Sequence, residues 1–575
     1  MQRPHLVGAA IGFVGALTIS STSANASSCT NVLSLQLEHT TITSATDNTS
    51  GVFVVPGTNP PQTISNLPAF CRVTATLTPT ADSVIKIEAW LPEGSAWNGR
   101  FLGTGGGGFQ GVITYSELAA GIQGGFASTN SDLGTGVNGC NPLYCGSDGV
   151  TNPLSTAFGE PPTPTIGLFG HPERIKDFGH RAIHQMTLRG KEIADAFYQQ
   201  KHTKAYFAGC STGGQNALME AQRFPHDYDG ILAGAPAYNR THLHMGAIGL
   251  WQATHVNANR FILPGQMTLI NKAVIAQCVG QDGGAKTDQF LTDPRDCHFD
   301  PQALQCTGGN VPPACLSADQ VTTMRTYYDG TRDPVTGQLI NPGYERGNET
   351  DNVVALGLAL QENLPEPAFD GLFYWVYGSA FGMPGTATNF ANFDFHKDVD
   401  TVDRQLEKPL NATSTDLGEF REHGGKLILY HGWADPLIPS QTTINYFNAL
   451  VDGDSEGLQP ARFERGDPNL KRTQSYARLF MVPGMYHCSG GPGPNTFDAL
   501  TPLVNWVEKG TAPDTIVATK FVNDTPPTVA MTRPLCVYPK VAKYNGSGNA
   551  SAAANFTCVT DESDFNQTPA PKFGP

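Results

Sequence analysis

The sequence predicts an α/β fold in which a mainly parallel sheet is interrupted by one large insertion. Short apolar runs typical of buried strands alternate with stretches of helical spacing. The chain has 575 residues, whereas a single hydrophobic core stops growing at roughly 250 to 300 residues. We therefore expect two domains, or one large domain with a long insertion.

The elements are predicted in chain order as follows. Residues 70–102 alternate apolar and polar side chains, which predicts short strands separated by turns. Residues 175–198 have helical spacing and contain no proline, and the apolar run "KAYFAG" at 204–209 then predicts a strand. A turn at Ser211 and a helix from about residue 213 to 223 follow. Further buried strands are predicted at 230–237, 426–432 and 477–484.

The β-α alternation is lost between residues 239 and 417, where an acidic loop, aromatic clusters and four cysteines occur. This pattern favours an inserted domain at 239–417. The core of the fold is then formed by residues 27–238 and 418–575.

The N-terminus has the pattern of a signal peptide. An apolar run at about residues 6–19 is followed by Ala24-Asn25-Ala26, so we expect cleavage after residue 26. The run is shorter than the ~20 residues needed to span a bilayer, and no later segment is apolar enough. The expected location is extracellular, or periplasmic if the host is bacterial.

Acidic residues outnumber basic ones, 51 to 36, which gives a formal net charge of -15. This balance argues against nucleic acid or an anionic membrane as partner, because both require basic surfaces. The sequence does not indicate an oligomeric state.

The chain contains twelve cysteines, an even number that suits an oxidising compartment. Proximity along the chain predicts four disulfides: Cys140–Cys145, Cys278–Cys297, Cys306–Cys315 and Cys536–Cys558. A further bond, Cys29–Cys71, would fasten the N-terminal segment. Cys210 and Cys488 are left for each other, although two unconnected buried cysteines are the alternative.

Residues 209–213, "GCSTG", fit the G-x-S-x-G nucleophile elbow, in which a sharp strand-to-helix turn exposes the serine hydroxyl. A serine nucleophile needs a base and an orienting carboxylate, which follow in the order Asp, His in this class of fold. Asp435 and His487 each come just after a predicted strand. The alternative for each is an ordinary loop residue, but their order and placement favour a Ser211, Asp435, His487 triad.

A disulfide holds its Cα atoms about 5.5 Å apart. Bonding Cys210 to Cys488 would therefore bring their neighbours Ser211 and His487 to roughly hydrogen-bonding range.

The oxyanion of ester hydrolysis needs preorganised N–H donors. We expect one from Thr212, after the nucleophile, and another from the loop "GTGGGGF" at 103–109, with Gly106 and Gly107 as candidates. A nucleotide loop is the weaker alternative, since no G-x-G-x-x-G opens a helix here.

Five stretches in the same order make the chain similar to the tannase and feruloyl esterase family, which includes a hydrolase of mono(2-hydroxyethyl) terephthalate. They are "WNGRFLGTGGGGFQG", "GCSTGGQNALMEAQRFPHDYDGILAGAPA", "LSADQVTTMRTYYDGTRDPVTGQLINPGYERGNE", "YHGWADPLIP" and "PGMYHCSGGPG". The resemblance implies an α/β-hydrolase core with a large lid, and it maps a disulfide-clamped triad onto Cys210, Ser211, Asp435, His487 and Cys488.

The resemblance also implies a structural calcium in a disulfide-closed lid loop, here 278–297. Asp282 and Asp288, with carbonyls near Ala285 and Phe290, are the expected ligands, although Val279 replaces the first aspartate of the family pattern and two residues are inserted. An acidic, solvated loop is the alternative. No organic cofactor is expected.

These observations predict a secreted serine esterase for aromatic acid esters of the ferulate type. Tannase activity or hydrolysis of a terephthalate half-ester is the alternative within enzymes, and a non-catalytic calcium-dependent binding protein is the alternative outside them. The segment "FYWVYGSAFGM" at 373–383 offers aromatic rings for a phenolic ring or for the lid core. The absence of arginine between Arg346 and Arg404 disfavours a terephthalate carboxylate.

Overall fold

The computed structural model describes residues 28–108, 110–135, 172–350, 392–453 and 467–560. Three predictions lie outside these ranges: the signal peptide at 1–26, the Cys140–Cys145 disulfide and the aromatic segment at 373–383.

Nine of the described strands form one large mixed sheet, in the order β1-β4-β5-β7-β6-β8-β9-β12-β13. The strands are β1 Thr40–Asn48, β2 Val52–Val54, β3 Thr63–Ser65, β4 Phe70–Leu77, β5 Ile85–Pro92, β6 Arg100–Thr104, β7 Ala127–Ser131, β8 Lys204–Cys210, β9 Gly230–Gly234, β10 Thr331–Arg332, β11 Leu339–Asn341, β12 Lys426–Gly432, β13 Ala477–Val482, β14 Thr515–Phe521, β15 Val529–Cys536, β16 Lys540–Tyr544 and β17 Phe556–Thr560. Strands β1, β4, β5 and β7 pair antiparallel, and those from β7 to β13 pair parallel.

Helices lie between the strands and confirm the predicted α/β class. They are Tyr115–Gln123, Pro172–Lys176, Ala182–Tyr198, Thr212–Arg223, Arg240–His255, Pro264–Cys278, Ala318–Asp329, Val399–Leu410, Gly418–Glu422, Gln441–Gly453, Pro468–Thr473 and Leu500–Lys509. A π-helical turn, Asp177–Arg181, joins the second to the third, so the helix predicted at 175–198 is continuous.

The strand patterns follow from where each strand lies in the sheet. Burial alternates along β4, which lies in the antiparallel half. Strand β12 lies between two parallel neighbours and reads as the apolar run "KLILYHG", most of which is buried. Parallel strands covered on both faces need such near-continuous apolar runs.

The predicted insertion at 239–417 contributes no strand to the large sheet among its described residues. Strand β9 before it pairs directly with β12 after it, Gly230 opposite Lys426. The described inserted residues have an apolar cluster of their own, around Ile270, Met324 and Tyr327. The exact domain boundaries remain predictions.

Every described cysteine is disulfide-bonded. The bonds are Cys29–Cys71, Cys210–Cys488, Cys278–Cys297, Cys306–Cys315 and Cys536–Cys558. The Cys536–Cys558 bond links two C-terminal hairpins, β14–β15 and β16–β17. The sequence patterns do not predict these two hairpins. No helix in the described ranges is long and apolar enough to cross a membrane.

Candidate active site

Three predicted site residues lie just beyond the carboxyl ends of parallel strands. Ser211 follows β8, Asp435 follows β12 and His487 follows β13. These strands belong to the run β8-β9-β12-β13, which is parallel throughout. Their carboxyl ends therefore share one edge of the sheet, which is where open α/β sheets bind ligands.

Ser211 forms the sharp turn between β8 and the helix Thr212–Arg223. Its backbone has φ 65° and ψ -120°, a conformation that is strained for a residue with a side chain. Hydrogen bonds hold the turn: the Ser211 N–H donates to the Gly234 carbonyl at 3.0 Å, and the Ala237 N–H donates to the Ser211 carbonyl at 3.1 Å. This is the geometry of a nucleophile elbow.

Close backbone contact explains the glycines that flank the elbow. A Cβ on Gly209 would lie 2.6 Å from the Gly213 carbonyl carbon, and one on Gly105 would lie 2.4 Å from the Gly213 Cα. The early glycine loop and the elbow thus touch through backbone, which a side chain at either position would prevent.

The Cys210–Cys488 disulfide joins the residue before Ser211 to the residue after His487. The two Cα atoms are 6.0 Å apart although 278 residues separate them in sequence. In the described chain, the Ser211 hydroxyl and the His487 ring form no hydrogen bond with each other. The covalent bond therefore holds the two loops close to each other.

His487 and Asp435 form a direct pair. His487 Nδ1 donates to Asp435 Oδ2 at 2.7 Å, and the carboxylate is fully buried. Asp435 Oδ1 accepts the N–H groups of Leu437 at 2.8 Å and Ile438 at 3.0 Å. Burial opposes ionisation of Asp435, but the charge of His487 and the hydrogen bonds from His431 and His487 outweigh it and hold the pKa of that carboxyl well below its usual range. Asp435 is thus an anion that orients the His487 ring.

A second histidine contacts the same carboxylate. His431 Nε2 lies 3.0 Å from Asp435 Oδ2 and 3.2 Å from the Ile438 carbonyl, both acceptors, so this nitrogen carries the proton. His431 Nδ1 then accepts from the Thr443 hydroxyl at 2.7 Å. The buried His431 ring is thus a second N–H donor to the oxygen that His487 contacts.

Replacing His431 with phenylalanine removes this donor but keeps a ring of similar size. We expect kcat/KM on a small ester to fall about tenfold, the effect of one hydrogen bond to a charged group. His431→Gln retains an N–H donor and is the matched control, which should stay within about threefold of wild type. Equal activity of the phenylalanine variant and the wild type would show that His431 only fills space.

Two residues of the inserted region brace the loop that carries Asp435. The buried Asn348 side chain donates to the Asp435 carbonyl at 3.2 Å. The Glu345 carboxylate accepts the N–H groups of Ser440 at 3.2 Å and Gln441 at 2.7 Å. The sequence patterns alone assign no role to His431, Glu345 or Asn348. All three residues nevertheless lie in stretches shared with the family, "YHGWAD" and the stretch that ends in "ERGNE".

The predicted oxyanion donors differ in whether their N–H groups already have an acceptor within the protein. Thr212 is the first residue of its helix, so its N–H has no acceptor within the helix. In contrast, the Gly106 N–H donates to Asn216 Oδ1 at 3.2 Å and the Gly107 N–H donates to Gln110 Oε1 at 2.8 Å. Both N–H groups thus already have an acceptor within the protein, and their role as oxyanion donors stays a prediction.

Comparison with known proteins decides the family. A family model described as tannase and feruloyl esterase matches residues 71–559. The chain belongs to the tannase and feruloyl esterase family. Its members are carboxylic ester hydrolases, which confirms the class of enzyme that the sequence motifs indicated.

Individual members of the tannase and feruloyl esterase family cover most of this chain. An uncharacterized esterase of Xanthomonas campestris pv. campestris is 35% identical, over 96% of this chain and 93% of the relative. The mono(2-hydroxyethyl) terephthalate hydrolase of Piscinibacter sakaiensis is 32% identical, over 83% and 81%. The crystal structure of feruloyl esterase B from Aspergillus oryzae has a TM-score of 0.76 at 27% identity, covering 91% of this chain and 98% of that one. This likeness confirms the predicted α/β-hydrolase fold.

The calcium that the tannase and feruloyl esterase family implies can be tested against the donors of the loop 278–297. Calcium takes six to eight oxygen ligands. The Ala285 carbonyl already accepts the Asp288 N–H at 3.0 Å, and Val279 offers no carboxylate. Phe290 packs its side chain against Gly484 and offers no side-chain oxygen. Thr292 Oγ1 is the one buried side-chain oxygen of the loop without a hydrogen-bond partner. The side-chain oxygens left are those of Asp282, Asp288 and the Thr292 hydroxyl, fewer donors than the six that calcium takes, so the donors do not fit calcium.

Proposed function

We propose that this protein is a secreted serine esterase that hydrolyses esters of aromatic acids, with Ser211 as nucleophile, His487 as base and acid, and Asp435 as the orienting anion. The observation that carries this proposal is the pairing of His487 Nδ1 with the buried Asp435, on a loop that a disulfide ties to the strained turn at Ser211. A binding protein has no need for this combination.

The reaction proceeds in two halves. The Ser211 oxygen attacks the ester carbonyl carbon while His487 Nε2 accepts the hydroxyl proton, and the resulting oxyanion receives the Thr212 N–H. The carbon–oxygen bond to the alcohol then breaks, and His487 returns the proton to the departing alcohol. Water attacks the acyl enzyme by the same route, which releases the acid and restores Ser211.

Asp435 supports both halves through charge. His487 becomes an imidazolium when it holds the serine proton, and the carboxylate 2.7 Å away stabilises that cation. The depressed pKa of Asp435 keeps it ionised throughout. Because Nδ1 donates to Asp435, Nε2 is the nitrogen left to face Ser211.

Aromatic acids of the ferulate type are the proposed substrates. The structural likeness to a feruloyl esterase supports this choice, and so does the lack of arginine between Arg346 and Arg404, since a free terephthalate carboxylate calls for a fixed cation. Secretion is supported by the predicted signal peptide and by disulfides that form in oxidising compartments.

Rates on methyl ferulate, methyl gallate and mono(2-hydroxyethyl) terephthalate test the proposal. We expect kcat/KM to be highest on methyl ferulate, by about tenfold or more, a margin that a few pocket contacts can supply. The highest rate on the gallate would make the protein a tannase instead. The highest rate on the terephthalate half-ester would assign it to polyester fragments. If none of the three esters is hydrolysed, the protein is a binding protein rather than an esterase.

A further inference from the structure

Asp282, in the loop closed by Cys278–Cys297, is held by the backbone of its own loop. Its Oδ1 accepts the N–H groups of Gly280 at 3.1 Å and Gly284 at 3.2 Å, and its Oδ2 accepts the Thr292 N–H. Backbone N–H groups can replace water around a buried carboxylate. Asp282 therefore shapes the loop without needing a metal as partner.

Asp288, in the same loop, is paired with a cation from a distant part of the chain. Arg533 lies on β15, and its Nη2 donates to Asp288 Oδ1 at 2.6 Å. Both side chains are buried, at 2% and 5% exposure. The other carboxylate oxygen, Oδ2, accepts the Ala285 N–H at 2.9 Å. Each oxygen of Asp288 is thus hydrogen-bonded.

The guanidinium of Arg533 is fixed in place by its surroundings. Its central carbon lies 4.2 Å from the centroid of the Phe556 ring and 5.8 Å from that of Phe290, distances at which cation–π attraction acts. Its Nη1 donates to the Thr532 carbonyl at 3.0 Å. A side chain that is held in this way and stays protonated acts as a permanent positive charge inside the protein.

We propose that Arg533 is the resident cation of this lid loop, so that the loop takes its shape without a divalent metal. Substitution of the first aspartate by Val279 removes one negative charge from the loop, and Arg533 neutralises Asp288. A calcium ion beside Asp288 would face the guanidinium at short range and be repelled by it. An arginine 245 residues further along the chain thus takes the place of a bound ion in this loop.

The exchange also ties the loop to the C-terminal hairpins. The Tyr544 N–H on β16 donates to the Gly283 carbonyl at 2.9 Å, next to Asp282. Together with the Asp288–Arg533 pair, this bond joins the loop to both hairpins. Stability of the loop therefore depends on the C-terminal segment rather than on metal concentration.

Chelation of the full mature protein is the first test, and it needs no activity assay. We expect the Tm in EGTA to agree with the Tm in excess calcium within about 1 °C, because no ion binds the native state. Elemental analysis after dialysis should find no stoichiometric calcium. A Tm that falls by several degrees in EGTA and recovers with calcium would overturn the proposal, as would one calcium per chain.

Arg533→Gln is the second test, since it leaves Asp288 buried without its cation. We expect Tm to fall by about 3 °C, as for other broken buried pairs in a chain of this length. Arg325→Gln is the matched control, because it breaks an Arg–Asp pair of 2.7 Å with Asp300 that is about half exposed. Its Tm should change by less than about 1 °C. If Arg533→Gln does not fold, Arg533→Lys, which keeps the charge, should fold. An unchanged Tm in Arg533→Gln would overturn the proposal.

Discussion

Ser211→Ala is expected to lower kcat on a methyl ester by about 10⁴-fold or more, because removal of the nucleophile leaves only binding and the oxyanion donor. The fold should be unaffected, since the hydroxyl is half-buried and the turn is held by backbone hydrogen bonds. Steady-state kinetics gives the rate, and rapid-mixing measurement of alcohol release shows whether a burst accompanies the wild-type reaction and disappears in the variant.

The matched control is Ser489→Ala, an exposed serine two residues beyond His487. It changes the same chemical group near the site, and we expect wild-type kinetics from it. Retention of more than about a hundredth of wild-type activity in Ser211→Ala would rule out the acyl-enzyme mechanism. A matching loss in Ser489→Ala would show instead that the loop tolerates no change.

The strands that carry the site are predictable from sequence because their apolar runs are short and bounded by turns. The run at 426–432 coincides with β12, Lys426–Gly432, and the run at 477–484 contains β13, Ala477–Val482. Parallel pairing then places the loops after these strands at one edge of the sheet. The proposed triad residues follow from this topology together with the chain order Ser, Asp, His.

Contacts that depend on the three-dimensional path of the chain are not predictable in this way. His431 reads as part of an apolar strand, and only the fold turns its ring toward Asp435. Gly106 matches a motif, but the acceptor of its N–H group, Asn216, lies 110 residues away in the sequence. Arg533 likewise carries no sequence signal that links it to Asp288, because the two lie on separate elements.

The double variant Cys210→Ala with Cys488→Ala is expected to lower kcat/KM by about 100-fold or more, since a displacement of roughly 1 Å at reacting groups has an effect of that size. The disulfide links the loops of Ser211 and His487. The side chains of these two residues form no hydrogen bond with each other in the described chain. Without the disulfide, only noncovalent contacts fix the distance between the turn at Ser211 and the loop of His487. The same kinetics, with Tm measured alongside, checks this result.

Cys29→Ala with Cys71→Ala is the matched control, because that disulfide joins the N-terminal segment to β4 on the antiparallel half of the sheet. Both double variants should lower Tm, since each frees a loop of the unfolded chain. Only the Cys210 and Cys488 pair should lower kcat/KM beyond the loss of folded protein. Equal losses of activity in the two variants would mean that the disulfide beside Ser211 stabilises the fold alone, and full activity in the Cys210 and Cys488 variant would mean that noncovalent packing already positions His487.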